Sequence, residues 1–139
     1  NTARPFIFST APPPPALGAA LAALELLEAQ PERVGQLRAN AATLRGALIA
    51  EGLAVGGSET QIVPLDVGDA VPTMELCERL LERGVFAQGI RPPTVPAGSS
   101  RLRFSVMATH SEEELREAAK QTGEAARGLG IARSTLLAA

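Results

Sequence analysis

The chain has 139 residues, 45% of them hydrophobic and 20% charged, which is typical of one globular domain with its own core. A formal net charge of −2 and a scarcity of aromatic residues argue against a nucleic-acid surface, because such surfaces are basic and offer rings for stacking. No apolar run reaches the length of a membrane span, so we expect neither nucleic acid nor a membrane as partner.

Three residue types important in enzyme chemistry occur only once each, as Cys77, His110 and Lys120. The lone cysteine excludes an internal disulfide and fits a reducing compartment such as the cytoplasm; its place on an apolar helix face favours a packing role over a reactive thiol. Its distance in sequence from His110 argues against a zinc site made by this protein alone. His110 is either a base or a structural turn residue, and Lys120 is the only candidate for Schiff-base chemistry.

The chain begins with a segment that we expect to be extended and to act as a linker over residues 1–15, broken by four prolines at 12–15. The abrupt start without an initiator methionine suggests a fragment or a processed chain. Ser9 and Thr10 are either hydroxyl donors to an anion or the end of a strand before the turn.

Two helices are predicted next. Leucines at positions 17, 21, 24 and 27 have helical spacing within residues 16–29. A second helix runs from Pro31 to a glycine cap at Gly52, and its apolar stripe is a core face rather than a partner-binding face. That stripe consists of Val34, Leu37, Ala41, Leu44 and Leu48.

The second half of the chain predicts strands over residues 61–67, 85–90 and 101–107, with a helix over 72–83 between the first two. Ser111 and Glu114 form a capping box that begins a last helix ending near Arg127. This order predicts an α+β fold in which helices cover one face of a small, mostly antiparallel three-stranded sheet. We place the domain at residues 16–130 and a tail at 131–139.

A stiff loop precedes the third strand. Its prolines restrict the backbone over residues 91–98, which we call the proline loop, and it holds Arg91 and Thr94. In the strand, apolar residues alternate with polar ones, so that Arg101 and Arg103 project from one face. This face is either an edge for anion recognition or a solvated strand surface.

Three segments carry a resemblance to a known family: residues 90–98 (Ile-Arg-Pro-Pro-Thr-Val-Pro-Ala-Gly), 101–103 (Arg-Leu-Arg) and 108–110 (Ala-Thr-His). Together they resemble the C-terminal domain of the pyridoxal-phosphate-dependent α-oxoamine synthases, which have the type I fold of such enzymes. Within this family, an arginine at position 91 resembles the pattern of the 8-amino-7-oxononanoate synthases of biotin biosynthesis. Residues 4–10 are similar to the segment that follows the large domain of this family.

The resemblance implies a decarboxylative condensation of L-alanine with pimeloyl-CoA or a pimeloyl-acyl carrier protein, in a homodimer. It implies that Arg103 binds the α-carboxylate of alanine, that Thr94 contacts substrate, and that Arg91 lies near the pimeloyl carboxylate. Ser9 and Thr10 are similar in position to hydroxyls that reach the pyridoxal phosphate of the neighbouring subunit.

The resemblance also implies what the chain lacks. In this family the Schiff-base lysine, the histidine on the cofactor ring and the aspartate on the ring nitrogen belong to the large domain, and nothing here matches them. We therefore expect this chain alone to be inactive and not to hold pyridoxal phosphate. Alternatives are 2-amino-3-ketobutyrate CoA ligase, 5-aminolevulinate synthase, or a stand-alone α+β module that binds an anion or a protein.

Overall fold

A computed structural model describes Thr2 and residues 12–131 of the chain. The rest of the predicted extended segment before residue 12, with Ser9 and Thr10, and the predicted tail beyond residue 131 lie outside the described residues. What is described falls into two compact units, one within Asn1–Val34 and the other within Gly35–Ala139. The domain limits predicted from the sequence stay a prediction. Among the described residues, no helix combines the length and the apolar character needed to cross a membrane.

Helix α1 spans Pro14–Ala29 and begins on prolines, which suit a first helical turn because the N–H they lack would have no partner there. The helix is therefore confirmed and begins two residues earlier than predicted. None of its residues is buried, and its leucines are 41–60% exposed. The leucine spacing thus predicts the helix without predicting a core beneath it.

Helix α2 spans Glu32–Ala50 and supplies one wall of the core of the second unit. Of its predicted inward stripe, Ala41, Leu44 and Leu48 are buried, while Leu37 is half-buried and Val34 is exposed. The helix ends as predicted at Gly52, whose φ of 82° is a left-handed conformation that glycine adopts readily.

The sheet has three antiparallel strands in the order β1-β3-β2: β1 at Ile62–Gly68, β2 at Gln88–Ile90 and β3 at Ser100–Ser105. Helix α3 at Ala70–Glu82 packs on all three strands, and α4 at Glu112–Gly128 packs on α3. The α+β class and the antiparallel sheet are confirmed. The core between sheet and helices is built from apolar side chains of every layer, among them Leu44, Leu48, Val63, Leu65, Leu76, Leu80, Leu102, Phe104 and Leu115.

Strand β2 is half as long as predicted, three residues instead of six. The reason is local: the N–H of Val85 donates to the carbonyl of Leu80 at 2.8 Å, which ties the chain to the end of α3 after a turn at Gly84. Residues 85–87 are therefore irregular, and pairing starts only where Gln88 lies opposite Arg103. Helix α3 also begins two residues before Pro72, with Asp69 at its N-cap position.

Candidate functional site

The two faces of β3 differ in burial. Leu102 and Phe104 are buried against the helices, whereas Arg101 and Arg103 project from the opposite face, as the alternation predicts. Residues directly opposite one another in an antiparallel sheet lie on the same face. Arg103 therefore lies between Pro64 and Gln88, and Arg101 lies between Asp66 and Ile90.

The first arginine of this pair is already engaged within the sheet. Arg101 Nε lies 3.7 Å from Asp66 Oδ1 and donates to the backbone carbonyl of Ser99 at 3.1 Å. Its side chain is 36% exposed, so the ion pair is partly screened by water and its energy is small. The carboxylate nevertheless balances the guanidinium charge at this position.

The second arginine has no such partner. Arg103 is exposed, and among the described residues its side chain makes no hydrogen bond and no ion pair. Its cross-strand neighbours, Pro64 and Gln88, carry no charge. The fork of Arg103 is thus free to receive a planar anion such as a carboxylate, which it can bind through two parallel hydrogen bonds.

Arg91 and Thr94 line a groove of about 450 Å³ at the edge formed by β2. The proline loop is closed there by its own backbone, since the Thr94 N–H donates to the Arg91 carbonyl at 3.0 Å. Arg91 Nη1 donates to the neighbouring carbonyl of Pro92 at 3.3 Å, and the side chains of Arg91 and Thr94 are exposed. Gln88 also lines this groove and lies opposite Arg103, so Arg91 and Thr94 share the groove while Arg103 lies outside its lining, on the strand next to β2.

A wider groove of about 1440 Å³ runs along α4, away from the proline loop. Its wall includes Lys120 and several glutamates together with Arg83 and Arg116, and these basic groups are paired with acidic ones. It contains none of the predicted substrate-binding residues. We therefore assign the candidate site to the smaller groove and the open face of β3.

The turn over residues 107–110 is held by a side chain that the sequence analysis did not single out. Asn40 of α2 is 4% exposed, and its Nδ2 donates to the carbonyls of Met107 at 3.0 Å, Ala108 at 3.4 Å and His110 at 2.7 Å. Gln36 donates to Asn40 Oδ1 at 2.8 Å and so orients the amide. A signal was present, because position 40 falls inside the apolar stripe of α2, where a polar residue needs a partner.

His110 and Ser111 complete the same turn. His110 Nδ1 accepts the Met107 N–H at 3.2 Å, which supports the structural interpretation of this histidine over that of a base. The capping box is confirmed: Ser111 Oγ accepts the Glu114 N–H, and Ser111 donates its own N–H to Glu114 Oε2 at 2.7 Å. That backbone hydrogen bond, together with one from the Ser111 hydroxyl, lowers the pKa of the Glu114 carboxyl.

The single cysteine and the single lysine take part in packing and in surface pairing. Cys77 is half-buried and its Sγ donates to the carbonyl of Ala87 at 2.9 Å, which favours the packing interpretation. Lys120 has a side chain 59% exposed and lies 4.0 Å from Glu117 on the same helix.

Comparison with known proteins identifies the family. A sequence profile described as aminotransferase class I and II matches residues 1–121. The chain belongs to this family. It is also 52% identical over 134 residues to 8-amino-7-oxononanoate synthase of Geobacter metallireducens, an alignment that covers 94% of this chain and 34% of that protein. The chain spans about a third of the length of the curated relatives it matches.

Solved structures agree with the fold. A structure titled as SPT with a PLP internal aldimine superposes with a TM-score of 0.83 at 29% identity, covering 93% of this chain and 33% of that one. The 8-amino-7-oxononanoate synthase of Francisella tularensis superposes with a TM-score of 0.72 at 25% identity, covering 93% and 38%. The resemblance seen in the loop motif is confirmed, and so is the type I fold.

The described residues do not fit a pyridoxal-phosphate pocket. Such a pocket needs a lysine beside the cofactor aldehyde, and Lys120 is instead an exposed residue paired with Glu117. Among the described residues, the basic side chains of the candidate site are arginines, which cannot form the Schiff base.

Proposed function

We propose that this chain is the C-terminal, substrate-binding part of an 8-amino-7-oxononanoate synthase. This acyltransferase would condense L-alanine with a pimeloyl thioester, carried by CoA or by an acyl carrier protein, with loss of carbon dioxide. The 52% identity over 94% of the chain supports this activity. Pyridoxal phosphate would be held by the remainder of a longer protein, and the cytoplasmic location and homodimeric assembly stay predictions.

Arg103 would bind the α-carboxylate of alanine, and the observation that carries this assignment is its exposed guanidinium on the sheet face, which has no ion-pair partner within the part of the chain that the structure describes. Arg101 lies two residues away on the same face but is balanced by Asp66. An anion arriving at this face therefore meets one uncompensated guanidinium. A bidentate contact would fix both the position and the orientation of the amino acid.

Arg91 and Thr94 would contact the thioester substrate. Both line the groove at β2, and Arg91 offers a second cation whose side chain bonds only to an adjacent carbonyl. This arrangement suits a substrate with a carboxylate at its far end, as the pimeloyl group has. Ser9 and Thr10 would reach the cofactor phosphate of a neighbouring subunit, an assignment that rests on the family resemblance alone.

The test is steady-state kinetics of the full-length enzyme with each substrate varied separately. In an enzyme–substrate complex that buries this ion pair, loss of the guanidinium costs about 2–5 kcal/mol, so Arg103→Ala should raise the KM for alanine by roughly 30- to 5000-fold. Arg103→Lys should recover only part of this loss, because an ammonium cannot reproduce the fork.

Two arginines serve as matched controls. Arg101→Ala removes the same side chain from the same strand face and should change the KM for alanine much less, because that charge already has Asp66 as partner. Arg91→Ala should weaken the thioester and leave alanine nearly unaffected. If Arg103→Ala binds alanine normally while Arg91→Ala loses it, the two roles are reversed.

The second candidate function is the same type of condensation with a different amino acid or acyl chain. It is favoured by the structures titled SPT, which superpose with higher TM-scores than the Francisella tularensis enzyme does. Sequence identity favours our assignment, at 52% against 29%. Wild-type enzyme should be assayed with alanine, serine and glycine against pimeloyl, palmitoyl and succinyl thioesters. A higher kcat/KM with any other pair than alanine and the pimeloyl thioester would overturn our assignment.

A further inference from the structure

Gly89 in β2 lies unusually close to a side chain of α3. A Cβ built at Gly89 would lie 2.8 Å from Met74 Sδ, closer than real side chains approach, and 3.7 Å from Met74 Cε, an ordinary contact distance. The φ of Gly89 is not positive, so its backbone conformation does not require glycine. A side chain at position 89 would therefore require the methionine thioether, near the flexible end of its side chain, to move.

Both residues lie in the wall of the candidate site. Met74 and Gly89 line the 450 Å³ groove together with Arg91 and Thr94. Met74 of α3 is half-buried, its thioether lies against Gly89 of β2, and the residue forms part of the groove lining. Because methionine is unbranched and flexible, its end can occupy the space over Gly89 or move into the groove. The size of residue 89 therefore controls how much of the groove Met74 leaves open.

We propose that Met74 is a specificity-determining residue for the acyl substrate and that Gly89 keeps it retracted. The inference rests on the proposed function, in which this groove takes the pimeloyl group. That group consists of methylenes ending in a carboxylate, and the groove offers an apolar thioether next to the Arg91 guanidinium. Met74 would contact the methylenes while Arg91 receives the carboxylate, so the methionine would help to select chain length.

The experiment changes the size of this pair in the full-length enzyme. Gly89→Ala should displace the thioether into the groove and raise the KM for the pimeloyl thioester by about tenfold, the low end of what one methylene does in an apolar pocket. The KM for alanine should stay unchanged, because Arg103 lies outside the groove lining. The double variant Met74→Ala with Gly89→Ala should restore the thioester KM, since the displaced side chain is then absent.

Gly57→Ala is the matched control, because Gly57 is exposed and a Cβ there would meet nothing within 4 Å. Thermal unfolding of each variant reports whether it folds. Should Gly89→Ala fail to fold, Met74→Ala alone tests the idea, since it should shift relative kcat/KM toward acyl chains longer than pimeloyl.

The possible failures are distinguishable. If the wild-type enzyme does not condense alanine with a pimeloyl thioester, the proposed function is wrong. If it does so but the thioester KM of Gly89→Ala is unchanged, or the double variant does not restore it, the role of Met74 is wrong. An unchanged chain-length preference in Met74→Ala would also overturn that role.

Discussion

The proline loop before β3 is held by hydrogen bonds among its own residues, whereas the turn over residues 107–110 after β3 is fixed by a side chain from another helix. In the first, Thr94 bonds to the carbonyl of Arg91, and Ser99, the residue that follows the loop, bonds to the carbonyl of Pro96. In the second, the Asn40 amide bonds to three carbonyls and the His110 ring accepts a backbone N–H. Arg91 and Thr94 of the first loop are exposed, whereas the carbonyls of the second are bonded to the buried Asn40 of α2.

This difference separates a loop that exposes Arg91 and Thr94 in the lining of a groove from a turn whose carbonyls are held by Asn40. Under the proposed function, the first is the loop that contacts substrate and the second has a structural role. The two loops are connected to the same strand, so the anchored turn can hold one end of β3 in place while the open loop meets ligand. Variants of the two loops should therefore affect different properties, stability after β3 and substrate binding before it.

The largest effect on stability is expected for Asn40→Ala. This change removes the donor shared by three carbonyls in a region where Asn40 is 4% exposed. Buried polar groups left without a partner cost about 1–3 kcal/mol. Urea unfolding of the chain should show a loss of this size, and the amide protons of Met107 and His110 should exchange faster with solvent.

Gln36→Ala is the control for Asn40. Gln36 is exposed and its hydrogen bond orients the Asn40 amide without reaching the turn itself. Its loss should cost less than that of Asn40→Ala, because one acceptor, Asn40 Oδ1, loses its partner while the three carbonyls of the turn keep theirs. An equal loss in the two variants would mean that the bonds from Asn40 to the turn add no stability of their own.

A smaller, pH-dependent effect is expected for Glu114→Gln. The Ser111 backbone and hydroxyl hydrogen bonds lower the pKa of the Glu114 carboxyl in the folded chain relative to the unfolded one. Stability from this charge is therefore fully present above the ordinary glutamate pKa of about 4.3 and is lost as the pH falls through the lower folded value. Glutamine at position 114 keeps the size of the side chain and an oxygen that can accept the Ser111 N–H, but it carries no charge.

Urea unfolding at pH 7 and at about pH 3 measures this effect. Wild type should exceed Glu114→Gln in stability at pH 7, and the difference should shrink toward pH 3. A difference that grows on acidification would contradict the role of the charged capping box. Glu113→Gln, in the same first turn but outside the box, should give a weaker pH dependence.

Much of the fold was predictable because local signals and packing agree in it. The capping box at Ser111, the glycine cap at Gly52 and the alternation in β3 each specify an element directly, and the structure confirms them. Strand β2 was predicted too long, because residues 85–87 have strand-like composition but Val85 bonds back to Leu80. That hydrogen bond depends on how the helix ends, which composition does not reveal.

The residue types of the candidate site were predictable from the sequence, but which residues lie next to one another in the sheet was not. The sequence placed Arg101 and Arg103 on one face, yet only the strand register shows that Asp66 lies opposite Arg101 and Gln88 opposite Arg103. The contact between Gly89 and Met74 likewise joins a strand and a helix whose relative position is set by tertiary packing. Asn40 could have been found from sequence, as a polar residue within the apolar stripe of α2.

The smallest effect on stability is expected for Ser99→Ala. This change removes a side-chain hydrogen bond to a carbonyl of the proline loop, the same kind of bond that Asn40 makes to the turn over residues 107–110. Ser99 Oγ donates to the carbonyl of Pro96 at 2.7 Å in an exposed setting, so water can replace the hydroxyl. The free energy of unfolding should change by less than about 0.5 kcal/mol. In the full-length enzyme the same variant should change the KM for the thioester and not that for alanine, because Ser99 follows the loop that carries Arg91 and Thr94. A loss of stability as large as that of Asn40→Ala would mean that the two loops are anchored alike, and the distinction between a binding loop and a structural one would then fail.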